Sequence, residues 1–343
     1  IVSEMRLRKD SEEIVKMEKA AQISVEAHKQ AMRSVRPGMN EYQLEAELNY
    51  VFMKSGARQP AYNNIVASGS NACVLHYIKN DEVIDDGDLI LIDAGAELGC
   101  YAADITRTFP ANGTFSEPQA ALYQVALDAY HAGMKELTVG TPYEACHNAA
   151  VRTLTAGLVK HGLLKGEVDF LIESKAYRDF YMHNTGHWLG LDVHDCGAYK
   201  VAGESRLLEA GMVLTIEPGL YVSVDNESVD PKWRGIGIRI EDNVVVTESG
   251  CDVITAGVPK TVEEIEALMA AQSYDSSDAI VIEDFSNPEA LNNRSAQPGV
   301  TTSLASSAAE VQAADLSGYL TVRNEGHAPK GSWSQLGKTF SPT

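Results

Sequence analysis

Apolar residues recur at helical spacing early in the chain. Ile14, Met17, Ala21 and Val25 fall on one stripe, and Asp10 with Glu13 forms a capping-box pair ahead of it. This predicts a helix from about Ser11 to Val35, closed by Pro37-Gly38. A second helix is predicted after Asn40, ending at Gly56, and Gln59-Pro60-Ala61-Tyr62-Asn63-Asn64-Ile65-Val66 reads as a turn entering a strand. Beyond a Ser-Gly-Ser loop, Leu75-His76-Tyr77-Ile78 reads as a short strand, where a lone histidine is more often structural than functional. Asp88-Leu-Ile-Leu-Ile-Asp93 is a second, more apolar strand, and a hairpin turning near Glu97–Gly99 would bring Asp93 and Asp104 onto neighbouring strands. Ser116 to Leu137 has a helical pattern with Pro118 near its first turn. Thr141-Pro142-Tyr143-Glu144 reads as a capping box with proline at the first helical position, opening a helix to about His161. Strands follow at Met212–Ile216 and through Ile236–Val246, and Thr261 with Glu264 caps a last helix to Ala270. The expected organisation is one domain over residues 1–270 and a Ser-, Ala-, Asn- and Gly-rich tail over 271–343, without sustained period and disordered.

Composition narrows the function classes. A 343-residue chain with 44% hydrophobic and 22% charged residues is that of a soluble globular protein. A formal net charge of -20 argues against nucleic acid or an anionic membrane as partner, since both need basic patches. Five dispersed cysteines without a CxxC fit reduced thiols, and no segment resembles a signal peptide or membrane span, so a cytoplasmic location is expected. The first residue is Ile1 rather than Met, which fits a fragment or processed form.

The chemistry gathers around Met182–Asp195, MHNTGHWLGLDVHD, where His183, His187 and His194 make up three of the nine histidines. Neutral imidazole is the commonest protein metal ligand. His131, His147 and His161 ride on predicted helices without ligand-type neighbours and are expected to be ordinary surface or core residues. Four carboxylates occupy places that are costly without compensation. Asp93 and Glu217 each close an aliphatic run before a turn, Asp104 lies in YAADITRTF, and Glu241 interrupts IRIEDNVVV. The competing reading makes the aspartates ordinary turn or cap residues. Two carboxylates lie in each half with His187 between the pairs, which hints at two related halves facing each other. Four carboxylates and an imidazole suit a pair of divalent cations such as Mn²⁺, Co²⁺, Fe²⁺ or Zn²⁺. Such a pair lowers the pKa of a shared water and serves hydrolysis of amides or phosphoesters. His183 and His194 are left to hydrogen-bond a substrate carbonyl, and Arg239 to hold a ligand carboxylate such as Asp93.

The stretches DLILIDAGAELGCYAADITRTFP, MHNTGHWLGLDVHD, LTIEPGLYV and GIGIRIEDNVVVTE also resemble, in order and spacing, the proline-specific metallopeptidases of the pita-bread fold. The likeness runs from about Met5 to Ala270 and is strongest to the aminopeptidase P branch of this M24 family, with prolidase next and methionine aminopeptidase more distant. The resemblance implies an α/β (α+β) pita-bread fold, with pseudo-two-fold antiparallel sheets flanked by helices and a two-metal site between the halves. It implies that Asp93 chelates one metal, that Asp104 and Glu241 bridge both, and that His187 and Glu217 complete the second. Manganese is the first expectation for both sites. Glu217 would act as general base, His194 would contact the scissile carbonyl, and His76 and His183 would line the substrate site. Tyr221 and Arg239 match the supporting pair of this branch. The implied reaction removes the first residue from peptides with proline second. The alternatives are an Xaa-Pro dipeptidase of the same fold and a non-catalytic peptide-binding relative. These enzymes carry an N-terminal domain that serves oligomer contacts and covers the active site, and this chain starts where the catalytic domain would.

Overall fold

Asp10 caps the first long helix as its sequence predicts. Its carboxylate accepts from the Glu12 and Glu13 amides at 2.9 Å each, and Glu13 accepts from the Asp10 amide at 2.8 Å. In the computed structural model the described residues are 2–271, and Ile1–Asp275 form one unit. The expected tail lies, beyond Ala271, outside the described residues. A short helix α1 (Val2–Leu7) precedes α2 (Ser11–Ser34), and α3 (Glu41–Lys54) packs on α2. The predicted stripe is buried at Met17, Ala21 and Val25.

The chain then builds an antiparallel sheet from β1 (Ile65–Ser68), β2 (Leu89–Asp93) and β5 (Thr106–Pro110), with β2 central. Between β2 and β5 comes a small hairpin, β3 (Glu97–Leu98) and β4 (Tyr101–Ala102), turning at Gly99 and Cys100 with φ of 58° and 70°. The turn falls where the sequence places it. The carboxylates, however, do not end on paired strands: Asp93 pairs with Thr106, and Asp104 lies just before β5. Gly95 makes this possible, since a Cβ there would lie 1.7 Å from the Ala103 carbonyl oxygen.

Helices α4 (Glu117–Met134) and α5 (Tyr143–Lys160) pack closely together, followed by the short α6 (Val168–Glu173). Gly157 lets α5 approach Val125 of α4, whose Cγ1 would lie 2.2 Å from an added Cβ. At α5 the expected capping box is absent. Pro142 is the cap residue itself, Thr141 Oγ1 pairs with Thr138, and the first helical amides donate to Arg206 O and Ser205 Oγ. A neighbouring strand thus does the work of a capping side chain.

The second half repeats the first in outline. After a hairpin, β6 (Lys200–Val201) and β7 (Glu204–Ser205), come β8 (Val213–Ile216) and β9 (Gly219–Tyr221), then β10 (Gly237–Arg239), β11 (Asp242–Thr247), β12 (Gly250–Val253) and the capped helix α7 (Val262–Ala270). Strand β11 is central between β12 and β8, while β10 pairs with β9. The predicted single strand through IRIEDNVVV is therefore broken at Ile240-Glu241, where the chain changes partners. Pro218, which has no amide hydrogen, breaks the facing strand opposite, and the Ile240 amide donates to its carbonyl at 3.2 Å. The halves meet where the Glu241 amide donates to Thr106 O at 3.0 Å and Thr108 Oγ1 donates to Arg239 O at 3.1 Å.

Candidate active site

The inner ends of the two sheets supply the four carboxylates. Asp93 ends β2 and Asp104 precedes β5, while Glu217 follows β8 and Glu241 precedes β11. A cavity of about 400 Å³ opens there. Its lining includes Asp93, Asp104, His187, Glu217 and Glu241 together with His76, His183, His194 and Arg239. Tyr221 is buried against it rather than lining it.

His76 reaches the cavity on a turn, not the expected strand. The reason is Glu41, fully buried, whose carboxylate accepts from the Ser68 amide and hydroxyl, Asn71 Nδ2, the Tyr77 hydroxyl and the Glu82 amide. These bonds fold residues 68–82 around one point and leave His76 exposed at the rim.

His187 is oriented by its own loop backbone. A carbonyl only accepts, so Nδ1–H donates to Trp188 O at 3.0 Å, and Nε2 faces Asp104 Oδ2 at 3.3 Å and Glu217 Oε1 at 3.9 Å. Burial opposes charge on this ring, but Asp104 and Glu217 outweigh it and push its pKa up to about 9. Asp104, His187 and Glu241 each present one ligand atom within 4.8 Å of the others. Among the described residues lining the cavity, the four carboxylates face Arg239 and a His187 whose raised pKa favours its charged form. Burial is the main cause that raises Glu217 to about 7, and that lifts Glu241 well above the usual carboxylate range, with Asp104 and Glu217 adding to it. This excess of oxygen donors and negative charge fits divalent cations.

Arg239 organises the surrounding bonds. Its guanidinium donates to Asp93 Oδ2 at 2.6 Å, Thr106 Oγ1 at 3.1 Å and the Tyr221 hydroxyl at 3.1 Å. Thr106 in turn donates to Glu241 Oε2 at 2.6 Å. His183 Nδ1–H donates to Asn184 O at 2.8 Å, so Nε2 accepts from the Tyr221 hydroxyl at 2.9 Å. Burial, then the charge of Arg239, lower His183 to about 3 and keep it neutral. His194 packs edge-on to His187 with ring centroids 4.3 Å apart, and burial lowers its pKa.

Sequence reasoning missed Tyr62, whose hydroxyl lies 2.7 Å from Asp93 Oδ1 and 2.5 Å from Asp104 Oδ1. It missed Asn243, which accepts from the Asp104 amide at 3.0 Å. Neither residue carries a pattern that marks it before its partner is known. His147, expected to be ordinary, bonds Thr185 Oγ1 at 2.9 Å behind the histidine loop. All five cysteines are free, and no helix among the described residues is long and apolar enough to cross a membrane.

A two-sheet fold whose paired carboxylates converge on a histidine has the architecture of a metallohydrolase, and residues 15–248 match metallopeptidase family M24, to which the chain belongs. Its fold is the pita-bread fold. Among solved structures it is similar to aminopeptidase PepP of Pseudomonas aeruginosa, with TM-score 0.78 and 59% identity over 78% of this chain and 61% of that one. A zinc-substituted Escherichia coli aminopeptidase P in complex with product superposes with TM-score 0.77 and 52% identity over 79% of this chain and 61% of that one. The Xaa-Pro aminopeptidase of Haemophilus influenzae is 51% identical over 269 residues, which are 78% of this chain and 62% of the relative. The human Xaa-Pro dipeptidase is 38% identical over 302 residues, again 78% of this chain and 61% of the relative. The chain thus spans about three-fifths of the length of these relatives.

Proposed function

We propose that residues 1–270 are the catalytic domain of an Xaa-Pro aminopeptidase using two divalent cations, manganese first among them, in the cytoplasm. The observation that carries this reading is the convergence of Asp93, Asp104, His187, Glu217 and Glu241 on one cavity beside Arg239 and three further histidines. Asp93, Asp104, His187, Glu217 and Glu241 would together hold the two cations, whose charge would offset that of the four carboxylates. When bound, such a pair activates a water and polarises the scissile carbonyl.

The chain's own residues do the rest. Glu217 takes the proton of the attacking water and returns it to the proline nitrogen as the C–N bond breaks. His194 donates a hydrogen bond to the scissile carbonyl. His183, neutral and held by the Tyr221–Arg239 chain, lines the substrate site with His76. A wall of four imidazoles with Tyr199 suits a pyrrolidine whose imide nitrogen has no hydrogen to satisfy. The partners are peptides with proline second, and a homo-oligomer is the other partner the family resemblance implies.

The test is hydrolysis of an Xaa-Pro dipeptide and an Xaa-Pro-Xaa tripeptide in parallel, after chelation and after adding Mn²⁺. Metal-dependent cleavage of the tripeptide is expected. Cleavage of the dipeptide alone would replace this reading by a dipeptidase, and cleavage of neither would defeat it for this chain.

A further inference from the structure

We infer that Lys9 and Arg6, on the segment entering the domain, are positioning residues for the histidine loop, acting through Asp195. The inference rests on the reading of the site as a peptidase centre. Lys9 Nζ lies 3.2 Å from Asp195 Oδ2, and both side chains are only 1% exposed. Arg6 closes on the other Asp195 oxygen and bonds Asp192 at 2.7 Å. A buried charge that loses its partner is strongly unfavourable, so each end of this pair constrains the other.

Backbone bonds carry that constraint to the site. The Lys9 amide donates to Gly211 O at 2.8 Å, and Arg8 bridges Met212 just ahead of β8, fixing the entry segment. At the other end, the Asp195 amide donates to Trp188 O at 2.9 Å, the same carbonyl that receives His187 Nδ1–H. His194 is the residue immediately before Asp195. Asp195 therefore shares an acceptor with one site histidine and a peptide bond with another.

The knot also touches the opposite wall. Gly190 packs so closely that an added Cβ would lie 2.2 Å from Asp195 Oδ2 and 2.8 Å from Lys9 Cε. Its carbonyl accepts from the Ala102 amide at 2.9 Å, two residues before Asp104. Without the Lys9 charge, Asp195 swings toward water and draws His194 and the Trp188 carbonyl with it.

Lys9→Met, Asp195→Asn, their double variant and Arg6→Gln are compared with wild type. The readouts are calorimetric Mn²⁺ affinity, thermal unfolding without metal, and kcat and KM on an Xaa-Pro-Xaa tripeptide. Each single buried variant is expected to weaken Mn²⁺ binding and kcat about tenfold, with KM moving less. The double variant should be no worse than the weaker single, since the two residues act as one unit. Wild-type affinity and kcat in Lys9→Met, measured well below its unfolding temperature, would overturn the inference, as would full additivity of the two losses. If the buried variants do not fold, the partly exposed Arg6→Gln decides: a several-fold loss of affinity supports the inference and wild-type affinity overturns it. A wild type that binds Mn²⁺ but cleaves no peptide defeats the peptidase reading, while the Mn²⁺ affinities still decide this one.

Discussion

Replacing Tyr62 by phenylalanine removes one hydroxyl and little else. That hydroxyl carries a single hydrogen placed between Asp93 Oδ1 at 2.7 Å and Asp104 Oδ1 at 2.5 Å. Its donation to a carboxylate is a hydrogen bond to a charged group, with a net contribution of about 1.5–3 kcal/mol. With cations bound, both carboxylates are held where the hydroxyl meets them and the full bond is lost. Without cations, the variant's aspartates are free to turn apart and take water in its place. The loss therefore falls on the metal-bound state and converts to about 10- to 100-fold weaker Mn²⁺ binding at 1.4 kcal/mol per decade. Calorimetric titration of metal-free Tyr62→Phe with Mn²⁺ measures it, alongside thermal unfolding of the metal-free protein. Binding within twofold of wild type, with unchanged unfolding, would refute the idea that Tyr62 holds the two aspartates for the metals.

Other outcomes follow from the same geometry. Glu217→Gln keeps the shape and an oxygen donor but removes the proton acceptor, so kcat should fall by about 10²–10⁴-fold while the variant stays folded; retained turnover would sink the assigned role. Asp242 is fully buried, bonded to Arg107 at 2.8 Å and to Lys260 at 2.5 Å. Asp242→Asn leaves Arg107 buried against neutral partners, and denaturant unfolding should report a loss of about 3–5 kcal/mol. Burial alone would raise the Asp242 pKa, but Arg107 and Lys260 outweigh it and hold it below the ordinary value. Its contribution is thus present above the unfolded value of about 3.9 and lost as pH falls through the lower folded value. Unfolding measured from neutral pH down to that window should show the acid loss in wild type and a smaller one in Asp242→Asn.

What could be read from the chain was local. Asp10 and Glu13 lie three residues apart and cap a helix wherever it packs. Asp93 and Glu217 stand out because an acid closing an aliphatic run needs compensation. The break at Ile240-Glu241 was hidden, because it reflects a change of pairing partner and not any breaker residue in IRIEDNVVV. The α5 start was misread because Arg206 and Ser205, more than 60 residues away, take the place of its cap. His76 sits on a turn because Glu41 gathers donors from residues 68–82. Tyr62 and Lys9 acquire meaning only through partners at a distance, Asp93 and Asp104 for one and Asp195 for the other.

The central claim is that four carboxylates and His187 hold a pair of divalent cations at the meeting of the two sheets. Anomalous-difference density from crystals of the Mn²⁺-loaded protein tests it most directly. The account predicts two peaks about 3.5–4 Å apart, both within ligand distance of Asp104 and Glu241, with His187 and Glu217 at only one of them. A single peak, or peaks that leave Asp104 and Glu241 unliganded, would contradict it.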